Sequence, residues 1–172
     1  MSKAMKRVLK ALVVAPMVAG MGLLGVPSAD AATQTASFTV DAEVQAACTI
    51  TASPVDFGIY DINSGTDNDA QGSVTINCST GAPVFVTLDD GATPGAGSTP
   101  AAPVREMASG TNRLGYGLFA DAGRTTVWEG VTGVSSVGIN ADEVIPVFGR
   151  IPAGQAVASG LYQDTVIATV NF

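Results

Sequence analysis

The sequence predicts an all-β protein of the β-sandwich type, and three observations lead to this prediction. After residue 31, no stretch places its apolar residues at the 3.6-residue period of an amphipathic helix. Apolar and polar residues instead alternate along the remaining chain, and Gly, Pro, Asn and Asp separate the alternating runs. Seven or eight short strands of this kind are typical of a β-sandwich, although a closed barrel has the same periodicity.

The first 31 residues are predicted to be a secretory signal peptide. Residues 1–10 contain four cationic side chains and no acid, and residues 11–26 form an uncharged apolar run. Residues 27–31 then supply small side chains in an Ala-x-Ala pattern. A membrane anchor would need about 20 apolar residues, and this run is shorter and is interrupted by a proline. We therefore expect cleavage after Ala31, export, and no stable membrane insertion.

The charge of the exported part excludes several classes of partner. The chain has 172 residues and no histidine, and its three lysines all lie in the predicted signal peptide. Residues 32–172 keep four arginines and fourteen acidic residues, a formal charge of −10. Because affinity for phosphate backbones and anionic lipids comes largely from Lys and Arg, we expect neither nucleic acid nor a membrane surface as a partner.

The longest alternating run extends from Thr35 to Ala47 and predicts a strand with one face to bury. Its polar face carries Ser37, Thr39, Asp41, Glu43 and Gln45. Its apolar face carries Ala36, Phe38, Val40, Ala42, Val44 and Ala46. From periodicity alone, this run is equally well an ordinary first strand of a self-contained sandwich.

Shorter alternating runs predict the remaining strands. They are Cys48–Ala52, Gly72–Cys78, Pro83–Leu88, Leu114–Phe119, Thr125–Trp128, Val144–Ile151 and Leu161–Phe172. The segment from Asp90 to Pro103 consists mostly of Gly, Ala, Pro, Ser and Thr, which bury little apolar surface. We expect it to be an exposed loop within one domain.

Cys48 and Cys78 are the only cysteines, and both lie in the exported part. An oxidising compartment favours their pairing, so we expect one disulfide. Thirty positions separate them, and the chain-entropy model gives such a link a stabilisation of about 3.5 kcal/mol.

The sequence indicates a protein that is not an enzyme and has no cofactor. Without histidine, neither a Ser-His-Asp nor a Cys-His arrangement is available, and the expected disulfide removes the thiols. A pair of carboxylates could serve a glycosidase, but among fourteen acids some pair will have a suitable separation by chance.

Two further motifs are more simply explained by structure than by binding. The acid-rich stretch Asp61–Asp69 fails the EF-hand pattern because Gly65 is its fifth position and Gly72 occupies the place of the bidentate glutamate. It predicts a turn, and no metal site. The four residues Tyr60, Tyr116, Trp128 and Tyr162 could form a platform for sugars, but such aromatics are more often packing residues.

Several motifs, in a consistent order from Cys48 to the end of the chain, resemble the spore coat protein U domain family. This family includes the subunits of archaic chaperone-usher pili of the Csu type. The motifs are Val55–Tyr60, Gly72–Val74 before Cys78, Arg105-x-Met107, Leu114-x-Tyr116-x-Leu118-Phe119-x-Asp121 before Trp128, Val147–Pro152, Gln155, and Gly160-x-Tyr162-x-Asp164–Val166. Departures are Phe148, where tyrosine is more usual, and Glu129 directly after Trp128.

The resemblance implies an immunoglobulin-like sandwich that lacks its final strand and is completed by donor-strand complementation. It implies that residues 32–47 are a donor extension and residues 48–172 the pilin domain, with the apolar face of residues 36–46 entering the next subunit. The implied partners are copies of this chain or related pilins, a periplasmic chaperone and an outer-membrane usher. The implied role is surface attachment and biofilm formation on the outside of the cell.

Two other functions stay open at this point. A secreted coat could be built from the same fold by the same strand exchange. A carbohydrate-binding module or tip adhesin is the other alternative, but an adhesin would normally add a separate binding domain, for which 141 residues leave no room beside a pilin domain.

Overall fold

The structure is a computed structural model that describes residues 32–172, so the predicted signal peptide lies outside the described residues. The chain divides into two units, residues 1–41 and 42–172. In the first unit, residues 32–41 are exposed and have no regular secondary structure. No helix within the described range has the length and hydropathy needed to cross a membrane.

Eight strands are described, all in the second unit. In chain order they are β1 (Cys48–Ser53), β2 (Asn68–Cys78), β3 (Pro83–Leu88), β4 (Arg105–Ser109), β5 (Asn112–Phe119), β6 (Val134–Val137), β7 (Glu143–Ile151) and β8 (Ala168–Asn171). They form a five-stranded sheet in the order β1-β2-β7-β5-β4 and a three-stranded sheet in the order β6-β3-β8. All neighbouring strands pair antiparallel.

The core is built from one face of each sheet. Alternate residues of β2, β3 and β7 are buried, and Leu118 of β5 joins them. Trp128, of which 1% is exposed, fills the centre, and its indole Nε1 donates to the carbonyl of Val86 at 2.8 Å. The buried members of this cluster are Val74, Ile76, Cys78, Val84, Val86, Leu88, Leu118, Trp128, Ile145 and Val147. The prediction of an all-β sandwich is confirmed.

Five strands lie where the alternation predicted them, namely β1, β2, β3, β5 and β7. The expected disulfide is also confirmed. In the antiparallel register Cys48 lies directly opposite Cys78, and the two sulfur atoms are bonded. The link therefore ties the edge strand β1 to its neighbour at the end where the chain enters the sandwich.

Two strands, β4 and β6, were not predicted. β4 begins with a buried arginine, so its buried position does not read as apolar in the sequence. It forms a hairpin with β5 through a two-residue turn. Gly110 in that turn has a φ of 60°, which favours glycine. β6 has only four residues, and two of them are serines.

Two predicted strands are wrong as strands of this structure. The described residues from Thr35 to Ala47 have no regular secondary structure, although their sequence alternates. Thr125–Trp128 makes only a single bridge, between Phe119 and Val127. The Asp121 carboxylate accepts the amide protons of Thr125 and Thr126 and holds this segment in a turn.

The predicted strand Leu161–Phe172 is much shorter than expected, because only Ala168–Asn171 pairs regularly with β3. Before it, Gln163 forms an isolated bridge with Ala108. Exposed and half-buried residues still alternate from Leu161 to Asn171. This segment has the side-chain pattern of a strand without a continuous partner. The predicted loop Asp90–Pro103 is present and mostly exposed.

Candidate functional site: an open apolar groove

An open groove runs along the C-terminal segment of the sandwich. It consists of two adjoining cavities of about 400 Å³ and about 950 Å³. One wall is formed by the end of β1 and the chain that follows it, and the opposite wall by residues 157–168. The groove therefore lies between the first and the last parts of the sandwich.

The floor of the smaller cavity is the core itself. Val74, Leu88, Leu118 and Val147 line this cavity and are also members of the buried cluster. A groove that reaches the core exposes apolar surface that a complete sandwich would cover with another strand.

Both walls end in sheet edges. β1 is an edge strand of the five-stranded sheet, and β8 is an edge strand of the three-stranded sheet. Val166, Ala168 and Val170 are partly buried against the core from the β8 side, and Ile50 from the β1 side. Backbone groups at such edges can pair with an added strand.

A hydrogen-bonded pair of side chains braces the groove where its two cavities meet. The Tyr116 hydroxyl donates to Asp164 Oδ2 at 2.6 Å, and the Tyr116 ring packs edge-on against Phe57 with a centroid separation of 6.2 Å. Burial, together with the bond to Asp164, raises the pKa of Tyr116 well above its ordinary value. Asp164 Oδ1 also accepts the amide protons of Ala92 and Thr165. The pair therefore fixes the C-terminal wall to the sheet and to the loop after β3.

Arg105 lies behind this pair, with 2% of its surface exposed. Its guanidinium donates to the backbone carbonyls of Leu88, Asp89 and Trp128 at 2.6 to 3.2 Å. Burial lowers its pKa, and the nearby carboxylates of Asp89, Asp90 and Asp164 oppose that change. Its role in the structure is to join three backbone segments.

The residues of the predicted donor face are all exposed. The exposed fractions of Phe38, Val40 and Val44 are 86%, 84% and 91%, and Ala36, Ala42 and Ala46 are exposed as well. Solvent reaches both faces of the segment, since Thr39, Asp41 and Glu43 are exposed too. Large apolar side chains at this exposure are typical of surfaces that associate with another molecule.

The acid-rich stretch Asp61–Asp69 contains the turn that the sequence predicted. The Asp61 carboxylate accepts the amide proton of Asn63 and closes a turn. Asp69 accepts two hydrogen bonds from the Arg150 guanidinium, at 2.7 and 2.8 Å, and this contact lowers its pKa. Within residues 32–172, no cluster of three or more possible metal-binding side chains is found.

The four aromatic residues that could have formed a sugar platform are engaged in packing. Trp128 is buried, and the hydroxyls of the three tyrosines all bond within the protein. Tyr60 donates to the carbonyl of Pro152, and Tyr162 donates to that of Ala158, each at 2.9 Å. Tyr60 and Tyr162 both line the larger cavity of the groove, whereas buried Trp128 lines neither cavity.

Sequence reasoning from periodicity missed the groove. Four of the residues that line it, Phe57, Met107, Tyr116 and Asp164, come from separate segments of the chain. All four do occur in the motifs that carried the family resemblance, so the available signal was their joint presence and order.

Comparisons with known proteins agree with this architecture. A family model described as the Spore Coat Protein U domain matches residues 34–169. Among curated proteins, Protein U of Myxococcus xanthus is 38% identical, in an alignment that covers 92% of this chain and 96% of that protein.

Among solved structures, one match is the crystal structure of the CsuC-CsuE chaperone-tip adhesion subunit pre-assembly complex from archaic chaperone-usher Csu pili of Acinetobacter baumannii. The matched chain is 25% identical, with a TM-score of 0.53. The match covers 75% of this chain and 40% of that one, so this chain spans less than half of its length.

Proposed function

We propose that this chain, which belongs to the Spore Coat Protein U domain family, is a structural pilin. Its copies polymerise by donor-strand exchange. Residues 36–46 of one copy enter the groove of the next copy and complete its sandwich. The proposed boundary between donor extension and pilin domain lies between residues 47 and 48.

One observation carries the proposal: the groove opens onto the core between two sheet edges, while an exposed segment carries an alternating apolar face. An inserted strand would pair its backbone with the edges and place alternate side chains on the floor. If Phe38, Val40 and Val44 are buried fully, the gross gain is about 5–9 kcal/mol before ordering costs. Backbone hydrogen bonds would add to this gain.

Head-to-tail insertion is a heterologous contact, so repetition of it gives an open fibre. The uncovered groove is an aggregation hazard before assembly. A periplasmic chaperone that covers the groove and an outer-membrane usher are therefore part of the proposal. The pre-assembly complex of a chaperone and a tip adhesion subunit from Acinetobacter baumannii Csu pili supports this route. The proposed role of the fibre is surface attachment and biofilm formation.

The test places a charge on either face of the donor segment. Phe38→Asp and Val40→Asp put a carboxylate on the face that enters the core, whereas Thr39→Asp puts the same carboxylate on the opposite face. We expect material sheared from the cell surface to contain sedimentable polymer for Thr39→Asp and only unpolymerised subunit for the other two variants. Because an unpaired buried charge is costly, the loss should be nearly complete.

Normal fibres from Phe38→Asp and Val40→Asp would exclude residues 36–46 as the donor. A matched loss in Thr39→Asp would show that the segment is sensitive to charge in general and would contradict a buried apolar face.

A secreted coat is the second candidate, and one observation favours it: the relative with 38% identity is Protein U, and the family description names a spore coat. Both candidates use the same strand exchange, so they differ in the final assembly. Immunogold electron microscopy of producing cells separates them, since a pilus gives labelled filaments and a coat gives a continuous labelled layer.

A further inference from the structure

The two cavities of the groove meet at a boundary made by residues that line both of them. These residues are Pro54, Val55, Phe57, Met107 and Asp164. Residues on both walls contribute, so a strand that occupied the whole groove would cross this boundary.

The boundary is braced and resists widening. Three hydrogen bonds hold the Asp164 carboxylate, from Tyr116, Ala92 and Thr165 at 2.6 to 2.9 Å. The Tyr116 ring in turn packs on Phe57. A bulky side chain placed here would have to break this pair or displace the wall, and overpacking of this kind is destabilising.

The apolar face of the donor segment has a matching order of side-chain sizes. Phe38 and Val40 are large, Ala42 is small, and Val44 is large again. Inward-facing residues of a strand lie about 6.6–6.8 Å apart. The wall of the smaller cavity runs from Asp164 at the boundary to Ala168. Along this length an inserted strand has room for two inward-facing side chains. Either Phe38 and Val40 or Val44 and Ala46 would occupy these two positions.

We infer that the register of insertion is set by Ala42, which lies at the boundary between the two cavities. The larger side chains on either side of Ala42 then fill one cavity each, in whichever direction the strand runs. This inference rests on the proposed donor-strand function and adds to it the residue that determines the register. The occupant is the donor segment of a second copy of this chain.

The test introduces the same enlargement at two positions of the donor face. Ala42→Leu should lower the yield of multimers from cells by about tenfold or more, since overpacking at a braced site costs that much in affinity. Ala46→Leu makes the same change four residues away, about 13 Å along the strand, and should stay within about twofold of wild type. Met107→Ala enlarges the boundary, so the double variant Ala42→Leu/Met107→Ala should recover most of the multimers.

A peptide experiment avoids any effect on subunit folding. The full-length Phe38→Asp chain, which keeps its groove, is titrated with peptides of residues 35–47, and binding is read as the shift in melting temperature. The peptide with Ala42→Leu should bind about tenfold or more weakly than the unmodified peptide, and the peptide with Ala46→Leu about equally.

Equal binding of the Ala42→Leu and unmodified peptides would overturn the register, as would multimers from Ala42→Leu at the wild-type level. A similar loss for Ala42→Leu and Ala46→Leu would also overturn it. Failure of the proposed function looks different, because neither wild-type multimers nor binding of the unmodified peptide would then be observed.

Discussion

Arg105 shows how a single residue can be essential to the sandwich while contributing nothing apolar. The side chain is buried, and its guanidinium donates hydrogen bonds to three backbone carbonyls. Among the described residues, its guanidinium has no carboxylate within salt-bridge distance. The charge is therefore stabilised by peptide carbonyls in direct contact and by the nearby carboxylates of Asp89, Asp90 and Asp164. A hydrocarbon side chain of similar length could not donate to those carbonyls.

We predict that Arg105→Met lowers the free energy of unfolding by about 3 kcal/mol, because it leaves buried carbonyls without a donor. Denaturant unfolding of the non-polymerising Phe38→Asp chain, with and without the substitution, measures the difference. Arg113→Met is the matched control, since Arg113 is exposed and donates only to carbonyls of its own hairpin turn. Equal losses for both substitutions would contradict the role given to Arg105.

Glu129 organises the turn between Trp128 and β6. Its carboxylate accepts hydrogen bonds from the Thr132 hydroxyl and from the amides of Val131, Thr132 and Gly133. These bonds, led by the one from the Thr132 side chain, lower the pKa of Glu129 from 4.5 to about 2. Because the folded-state pKa lies below the unfolded value, the carboxylate stabilises the fold above pH 4.5, and this contribution is lost as the pH falls towards 2.

We therefore predict that Glu129→Gln is less stable than its parent at neutral pH and that the two converge near pH 2. Melting temperatures of the Phe38→Asp chain with and without Glu129→Gln, taken from pH 2 to 7, test this. The gap should widen between pH 2 and 4.5 and then stay constant. A gap independent of pH over that range would contradict the hydrogen-bonding role of the carboxylate.

At the scale of elements, the C-terminal segment is the element on which the proposed assembly depends most. Residues 161–167 have the side-chain alternation of a strand but only one bridge to a neighbour, and they form a wall of the groove. A single element thus completes the three-stranded sheet and offers an edge to a partner. A carboxylate at Val166, which lines the smaller cavity, should block acceptance without touching the donor segment.

We predict that co-expression of Phe38→Asp with Val166→Asp gives dimers and no multimers larger than a dimer. The first variant accepts and does not donate, and the second donates and does not accept, so each pair ends after one insertion. An unheated SDS gel of the co-expressed chains, compared with each variant alone, measures this. Long multimers from the pair, or dimers from either variant alone, would refute the assignment of the two roles.

Periodicity predicted the strands that alternate in sequence and bury their apolar face within this chain. β2, β3 and β7 each alternate in sequence and bury one face in the core, so their location could be predicted. Thr125–Trp128 alternates too, but the Asp121 carboxylate accepts hydrogen bonds from the amides of Thr125 and Thr126. These bonds hold the segment in a turn instead of a strand, and periodicity does not reveal them. β4 was missed because its buried position carries an arginine.

The donor face and the groove differ in how far the sequence could reveal them. Alternation from Ala36 to Ala46 identifies an apolar face, but it is the same whether the partner strand lies in this chain or in another. Residues 161–167, which form one wall of the groove, lack a continuous strand partner, and the lack of such a partner leaves no mark on local sequence. The family motifs that contain Phe57, Met107, Tyr116 and Asp164 implied a sandwich without its final strand. The tertiary arrangement shows where these residues line the groove.

At the scale of the whole molecule, the proposed assembly places the exposed alternating segment of one copy in the open groove of another. Completion would place the apolar face of residues 36–46 in a core and leave Asp41 and Glu43 at the surface of an acidic fibre. An inserted strand can leave only if the sandwich opens, so the assembled fibre should be kinetically stable.

An SDS gel of material sheared from producing cells, run with and without heating, tests this central claim most directly. We predict a ladder of multimers without heating that collapses on heating to the mass of the chain from residue 32 to 172. A monomer in both lanes, with residues 36–46 protected from proteolysis within their own subunit, would contradict the account and indicate a self-contained sandwich.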